Sequence, residues 1–143
     1  MTLTMSPTFV LVPGAWQGGW VWQPVARRLR EAGYAAVTVT LPGLADGDDR
    51  ARLRLSEAIN HVVVEVEHRD LTGIVLVGHS WGGYVITSAA HALIGRLAKV
   101  VHYNAVVPAR GAAMVDENAE LIPASRAAAY QGNPGRRITG GAT

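Results

Sequence analysis

The sequence contains no cysteine, which excludes disulfide bonds and metal sites built from thiolates. It also lacks any apolar run of the length that a membrane-spanning helix needs. The first residues, Met1–Gly14, have no positively charged start and only a short apolar run, unlike a secretory signal. These absences predict a cytoplasmic protein that does not enter a membrane.

Neither sign of charge dominates the chain. Charged residues make up 17% of the sequence, and the formal net charge is only +2 at pH 7. The basic residues are almost all arginine, and they are scattered rather than gathered into a stripe with interleaved aromatic side chains. Nucleic-acid binding proteins carry clustered basic residues, so we expect no nucleic-acid partner.

What is present is the composition of a globular domain, with 49% hydrophobic residues in a chain of 143. Four apolar runs, which begin at Phe9, Tyr34, Ile74 and Lys99, are predicted strands, and amphipathic segments separate them. Strands that are apolar on both faces and alternate with helices are typical of a parallel sheet. We therefore predict an α/β fold in which a parallel sheet of about four strands has helices on both faces.

The three segments between these strands are predicted helices. The first has Val25, Leu29 and Ala32 on one face, which we expect to pack on the sheet. The second begins at Ser56, a residue type that caps helix N-termini. The third has Ile94 among the side chains that could face the sheet.

The stretch Gly78-His79-Ser80-Trp81-Gly82 matches the pattern G-x-S-x-G between a predicted strand and a predicted helix. This context is the one that a nucleophile elbow requires, because the sharp turn strains the serine backbone and lifts its hydroxyl to the edge of the sheet. Side chains at the two flanking positions would collide, which explains Gly78 and Gly82. We predict Ser80 as a catalytic nucleophile; the competing interpretation is a glycine-rich turn whose serine only caps the helix.

Acyl transfer also needs two backbone N–H groups that point at the developing oxyanion. The residue after the nucleophile, Trp81, would supply one of them. The loop Gly14-Ala15, at the end of the first predicted strand, would supply the other. In the same loop Trp16 is a candidate for the wall of the binding pocket, whereas Trp22 is expected in the core.

The stretches that carry these features are "FVLVPGAWQGGWVWQPVARRLREAGYAAVTVTLPG" and "IVLVGHSWGGYVITSAA". Together they resemble the α/β-hydrolase fold, and within it the small esterases related to plant methyl-ester esterases and hydroxynitrile lyases. The resemblance extends from about Phe9 to Met114. It implies Ser80 as the nucleophile and the amides of Ala15 and Trp81 as the oxyanion hole.

Two positions depart from patterns found in this family. Pro13 stands where many members have histidine, a departure that bacterial-looking members tolerate. Gly14 stands where the lyases carry a threonine whose hydroxyl acts on the cyanohydrin. The resemblance therefore implies ester hydrolysis rather than cyanohydrin cleavage.

The general base and the acid of the family are not found at matching positions. The family supplies the base from a histidine after the last strand, and the acid from a position between serine and histidine. Asn104 stands where some hydrolases place the acid, and Asp116, Glu117 and Glu120 come later, where relatives begin a lid. We interpret all five histidines as structural, namely His61, His68, His79, His91 and His102.

The resemblance thus covers the nucleophile half of a hydrolase. We expect residues 1–115 to be the N-terminal part of the core, and residues 116–143 to be the start of a lid region and a loose tail. The simplest expectation is that the chain is a truncated product or an incomplete gene model of such an enzyme.

Three functions remain open at this point. The first is a serine hydrolase that acts on a small carboxylic ester through an acyl-enzyme at Ser80. The second is a non-catalytic module that binds a small molecule, and the third is an acyl transferase or thioesterase with the same elbow. No cofactor motif is present, because the chain has neither a dinucleotide fingerprint nor a phosphate loop. No metal site is predicted, and the oligomeric state cannot be derived from the sequence.

Overall fold

The structure is a computed structural model, and it describes residues 5–45, 47–48 and 54–110. Strands and helices alternate along the described chain, as the sequence predicts. Two 3₁₀ helices also occur, at Gly19–Trp22 and Ile94–Arg96. The strands and α-helices are β1 (Thr8–Val12), α1 (Gln23–Glu31), β2 (Ala35–Thr38), α2 (Leu55–His68), β3 (Ile74–Ser80), α3 (Gly82–Ala92) and β4 (Leu97–Ala105).

The four strands form one parallel sheet in the order β2-β1-β3-β4. The central strand β3 pairs with β1, where Val77 lies beside Leu11, and with β4, where it lies beside Val101. Parallel strands end at the same edge of a sheet, so the C-terminal end of β3 lies between the ends of β1 and β4. The predicted fold class, a parallel sheet of about four strands with helices, is confirmed.

The side chains of β3 are buried on both faces of the sheet, which is why this strand is apolar without alternation. Leu76 belongs to a large cluster beneath α2 and α3, whereas Val75 and Val77 belong to a smaller cluster on the face that carries α1. Both sides of the sheet therefore have a core. The larger core lies on the side of α2 and α3.

The helix α2 begins two residues earlier than an N-cap at Ser56 would give, because its N-cap is Arg54. The backbone N–H of Arg54 donates to the Glu57 carboxylate over 3.1 Å. The acidic side chain therefore supplies an acceptor to a backbone N–H at the start of the helix. Ser56 is an exposed residue inside the first turn, so the prediction that it caps the helix is wrong. The buried line of α2 consists of Ala58, Val62 and Val66, which repeat every fourth residue.

Three residues that the sequence places on sheet-facing sides of helices are exposed instead. On α1 the buried residue is Ala26, with Leu29 partly buried against the same cluster, whereas Val25 is 41% exposed and Ala32 is exposed. The helix rests on β2 and turns its Val25 side toward the uncovered part of the sheet. Ile94 is 77% exposed because α3 ends at Ala92 and the chain continues as a 3₁₀ turn.

The chain divides into two compact units, Met1–Val107 and Pro108–Thr143. All the elements given above lie in the first unit. The predicted boundary at residue 115, the lid and the tail fall outside the described residues and stay predictions. Within the described ranges, none of the helices is long and apolar enough to cross a membrane.

Candidate active site

Ser80 is the last residue of β3, and α3 begins two residues later at Gly82. The φ of Ser80 is 53°, a left-handed value that non-glycine residues rarely adopt and that costs about 1–3 kcal/mol when the surroundings enforce it. The sequence predicts a strained backbone at Ser80, and this positive φ confirms it. The serine side chain is half-buried at the C-terminal edge of the parallel sheet.

The two glycines of the motif are needed because the backbone on either side of Ser80 folds back on itself. A Cβ atom on Gly78 would lie 2.9 Å from the carbonyl oxygen of Gly82 and 2.8 Å from Ile86 Cδ1. A Cβ atom on Gly82 would lie 2.7 Å from the carbonyl oxygen of Pro13. Real Cβ atoms do not approach backbone oxygens this closely, so both positions exclude side chains.

A third glycine, Gly83, has a role that the sequence analysis missed. A Cβ atom on Gly83 would collide with the carbonyl oxygen of Val106, just beyond the end of β4. The doubled glycine after Trp81 is the signal in the sequence, but its meaning depends on which strand lies beside the elbow. Gly83 therefore lets the end of β4 close against the start of α3.

The end of β4 also holds the elbow through a hydrogen bond. The backbone N–H of Val106 donates to the carbonyl oxygen of Ser80 over 3.1 Å. Just before this bond the register of the two strands shifts, since His79 pairs with Tyr103 and Ser80 with Ala105. Asn104 is the extra residue, and it has a φ of 42°. Such a bulge changes the direction of the end of a strand, and here that end lies against the strained serine.

The loop after β1 approaches Ser80 from the other side. Gly14 is buried, and a Cβ atom on it would lie 3.1 Å from Ser80 Cβ and 3.3 Å from the carbonyl oxygen of His79. The next residue, Ala15, is therefore a neighbour of the elbow. Within the described residues, the amides of Ala15 and Trp81 donate to no hydrogen-bond acceptor. Two N–H groups without an acceptor in the described part of the chain thus belong to the residues next to the serine, and their role as an oxyanion hole is a prediction.

The rest of this loop contains the tryptophans and one polar side chain. Trp16 has a φ of 67° and is 76% exposed, so its place in a pocket wall stays a prediction. Trp22 is 7% exposed and belongs to the smaller core cluster, as predicted. Gln17, which the sequence analysis did not single out, is partly exposed, but its Oε1 is buried and has no hydrogen-bond partner among the described residues.

His79 packs among aromatic rings on the α1 face of the sheet. Its ring lies edge-on to Trp22, with centroids 6.5 Å apart, and tilted against Tyr103, with centroids 6.0 Å apart. Trp22 and Tyr103 also contact each other at 6.0 Å. The packing is that of a structural side chain, which agrees with the interpretation from the sequence.

The side chain of His102 is hydrogen-bonded to a residue of α3, Thr87. Its Nε2 lies 3.0 Å from Thr87 Oγ1, and Thr87 Oγ1 lies 2.7 Å from the carbonyl oxygen of Gly83. When the Thr87 hydroxyl donates its one hydrogen to the Gly83 carbonyl, its oxygen accepts from the Nε2–H of His102. In this arrangement the neutral imidazole carries its proton on Nε2, and Nε2 is already occupied by Thr87.

Among the residues that the structure describes, no catalytic base or acid lies beside the serine. All five histidines lie in the described part of the chain, and none is hydrogen-bonded there to Ser80. Asn104 is exposed and cannot act as a carboxylate, whereas Asp116, Glu117 and Glu120 fall outside the described residues. In the same described ranges, no group of three or more His, Asp or Glu side chains could hold a metal ion. The described residues thus contain a strained serine and its flanking amides.

A strained serine between a parallel strand and a helix, next to a loop from the neighbouring strand, defines a hydrolase-type α/β domain. The model of the alpha/beta hydrolase family matches residues 9–141. The chain belongs to the alpha/beta hydrolase family.

Curated relatives and a solved structure extend this result. A carbendazim hydrolyzing esterase from Nocardioides sp. (strain SG-4G) is 35% identical over 129 residues, which cover 87% of this chain and 52% of that protein. An alpha-hydroxynitrile lyase from Arabidopsis thaliana is 30% identical over 108 residues, which cover 70% of this chain and 40% of the lyase. An extracellular alpha/beta-hydrolase from a Paenibacillus species, with homology to tobacco salicylic acid binding protein 2, superposes with a TM-score of 0.76 at 27% identity.

That superposition covers 88% of this chain and 50% of the Paenibacillus protein. The chain therefore spans about half the length of the relatives it matches. The predicted resemblance to small esterases and hydroxynitrile lyases is confirmed, with the match confined to part of those proteins.

Proposed function

We propose that this chain carries the nucleophile of a serine hydrolase that acts on a small carboxylic ester. The observation that carries the proposal is the positive φ of Ser80 at the end of β3, with the Gly14 loop against it. A serine that only capped a helix would have no need of a left-handed backbone enforced by contacts from both neighbouring strands. The esterases among the relatives support the same reaction class.

In the proposed reaction the Ser80 hydroxyl oxygen attacks the ester carbonyl carbon while a general base takes its proton. The carbonyl oxygen becomes an oxyanion, to which the N–H groups of Ala15 and Trp81 donate. The tetrahedral intermediate collapses, the C–O bond to the alcohol breaks, and the base returns the proton to the departing alcohol. Water then attacks the acyl-enzyme by the same route and releases the acid.

We propose that the base and its acid belong to the half of the relatives' length that this chain does not span. His102 is engaged with Thr87, and His79 is packed among aromatic rings, which supports a base from elsewhere. Ester hydrolysis is favoured over cyanohydrin cleavage because Gly14 has no hydroxyl to offer a cyanohydrin. The substrate would bind at the C-terminal edge of the sheet, where ligands of open α/β sheets bind.

The test is covalent labelling of the full chain, including any continuation past Thr143, with a fluorophosphonate. An activated serine displaces fluoride from the reagent and becomes phosphonylated. We expect one adduct on the peptide that contains Ser80, and its loss in Ser80→Ala. Ser88→Ala is the matched control, because Ser88 is a half-buried serine on the adjoining helix α3. Equal labelling of Ser80→Ala and the unchanged protein would contradict the proposal.

The second candidate is a binding module without turnover, and the observation that favours it is the absence of any histidine hydrogen-bonded to Ser80 within the described residues. Hydrolysis of p-nitrophenyl acetate distinguishes the two. Loss of triad members costs a serine hydrolase on the order of 10⁴–10⁶ in turnover. We therefore expect residues 1–143 alone to hydrolyse the ester near the background rate, and a chain extended by the remaining half to gain several orders of magnitude. An extended chain that stays at background would favour the binding module.

A further inference from the structure

Left-handed backbone conformations are concentrated at the edge of the sheet that carries the nucleophile. Four described residues other than glycine have a positive φ, and three of them lie at or beyond the ends of neighbouring parallel strands. They are Trp16 after β1, Ser80 at the end of β3 and Asn104 near the end of β4, with φ values of 67°, 53° and 42°. The fourth, Asp70, lies between α2 and the start of β3, at the opposite edge. Strain that is gathered at one site points to a role at that site.

The position of Asn104 is explained by its backbone and not by packing. Its side chain is exposed and belongs to neither core cluster. Asparagine is one of the few residues other than glycine that enter the left-handed region readily, whereas a β-branched residue is a rare outlier there. The residue type at this position therefore matches the backbone conformation that the end of β4 requires.

The left-handed residue sets the register at the end of β4. Because Asn104 is extra in the pairing of β4 with β3, Ala105 lies beside Ser80. The next residue, Val106, then meets the elbow twice. Its N–H donates to the carbonyl oxygen of Ser80 over 3.1 Å, and its own carbonyl lies where a side chain on Gly83 would be. Without the extra residue the chain beyond it would be displaced by one position along β3, and both contacts would be lost.

The hydrogen bond to the Ser80 carbonyl also fixes a second group. The carbonyl of Ser80 and the N–H of Trp81 belong to one planar trans peptide unit, so they point in opposite directions and turn together. A donor that holds the carbonyl therefore also sets the direction of the Trp81 N–H, which is the proposed donor to the oxyanion. Such a donor is most effective when it is aimed before the reaction begins.

We propose that Asn104 is a positioning residue for the Ser80 nucleophile and its oxyanion hole. Its left-handed backbone makes the bulge, and the bulge brings the Val106 N–H to the Ser80 carbonyl. This bond aims the Trp81 N–H, so Asn104 acts through Val106 and not by contact with the substrate. The inference rests on the proposed function, because it takes Ser80 as the group that attacks the ester.

The test exchanges Asn104 in the full chain, including any continuation past Thr143. Asn104→Val opposes the left-handed conformation most strongly, Asn104→Ala opposes it less, and Asn104→Gly permits it fully. We expect kcat for p-nitrophenyl acetate to fall about tenfold in Asn104→Val, less than the roughly 10²–10³ that loss of a whole oxyanion donor costs. KM should stay within about twofold, because the ester binds before the oxyanion forms. The kcat of Asn104→Ala should lie between, and that of Asn104→Gly should stay within about twofold of the unchanged protein.

Asp70 provides the matched control, because it is the left-handed residue at the other edge of the sheet. It is exposed, as Asn104 is, and its φ is 49°. Its carboxylate accepts a hydrogen bond from Arg96 over 3.0 Å, and an exposed ion pair of this kind contributes little to stability. Asp70→Val should therefore lower the melting temperature about as much as Asn104→Val does, while kcat stays unchanged.

Hydrogen exchange of the Val106 amide, followed by NMR, measures the hydrogen bond itself. Exchange should be faster in Asn104→Val and unchanged in Asp70→Val. A kcat that stays unchanged in Asn104→Val, or that falls equally in Asp70→Val or in Asn104→Gly, would overturn the proposal. If no ester turnover depends on Ser80, the proposed function fails, and the exchange rate alone decides whether Asn104 holds the elbow. Faster exchange in Asn104→Val then supports this role, and an unchanged rate refutes it.

Discussion

On one face of the sheet, α2 and α3 bury a continuous set of apolar side chains, among them Leu76 and Ile86. On the other face, α1 rests on β2, and an apolar groove of about 290 Å³ stays open between Leu11, Val25 and Tyr103. The elbow is built on the covered face, since Gly83, Thr87 and His102 all connect α3 to β4. The comparison indicates that the strained serine is held by contacts on the face of the sheet that has the larger core. Three substitution pairs test this difference.

The largest effect is expected from a side chain in the covered core. Leu76 is fully buried beneath α2 and α3, so Leu76→Ala should lower the free energy of unfolding by about 2–5 kcal/mol. Val25 is 41% exposed at the groove, so Val25→Ala should cost less than about 1 kcal/mol. Urea unfolding followed by circular dichroism measures both. Equal losses would show that the two faces contribute alike.

A smaller effect is expected where β4 meets α3. In Gly83→Ala the new methyl group meets the carbonyl oxygen of Val106, so α3 and the end of β4 must move apart. We expect the free energy of unfolding to fall by about 1–3 kcal/mol. Gly95→Ala is the control, because a Cβ atom there has no heavy atom within 4 Å. Thermal melting of the two variants gives the comparison. If Gly83→Ala melts no lower than Gly95→Ala, β4 does not close against the elbow as described.

The smallest effect is expected from the link between His102 and α3. Thr87→Val keeps the shape of the side chain but leaves the half-buried Nε2–H of His102 without its acceptor, which should cost about 1 kcal/mol. Thr72→Val, at an exposed loop position, should cost nothing measurable. Nitrogen NMR of the histidine rings supplies the second readout. Neutral His102 with its proton on Nδ1 in the unchanged protein would show that Thr87 donates to His102 rather than to Gly83.

The sequence was sufficient to predict the parallel sheet and the strained turn at Ser80, because both depend on local patterns. A strand that is apolar on both faces and a serine between glycines can each be recognised from a few consecutive residues. The exposed positions of Val25 and Ile94 were not predictable in the same way. Periodicity identifies the apolar side of a helix, but it contains no information on how far the sheet extends beneath α1. It also does not reveal that α3 ends at Ala92, before Ile94.

Contacts between distant segments were missed for a related reason. The role of Gly83 depends on Val106, and the tautomer of His102 depends on Thr87, a residue on another element. The buried oxygen of Gln17, which has no partner among the described residues, is recognisable only after the end of β1 and the elbow are placed together. Each of these features is a property of the assembled edge of the sheet, and no single motif in the chain encodes it.

The bond from the Val106 N–H to the Ser80 carbonyl has a consequence for folding. It joins the nucleophile to a segment that is made later and that lies beyond a whole helix and strand, so closing this loop costs chain entropy before the contact forms. Contacts of this long-range kind slow folding relative to local ones. A nascent chain that has left the ribosome only as far as α3 would therefore lack this bond. The support that β4 gives to the nucleophile is added only after the later strand has been made and has paired with β3.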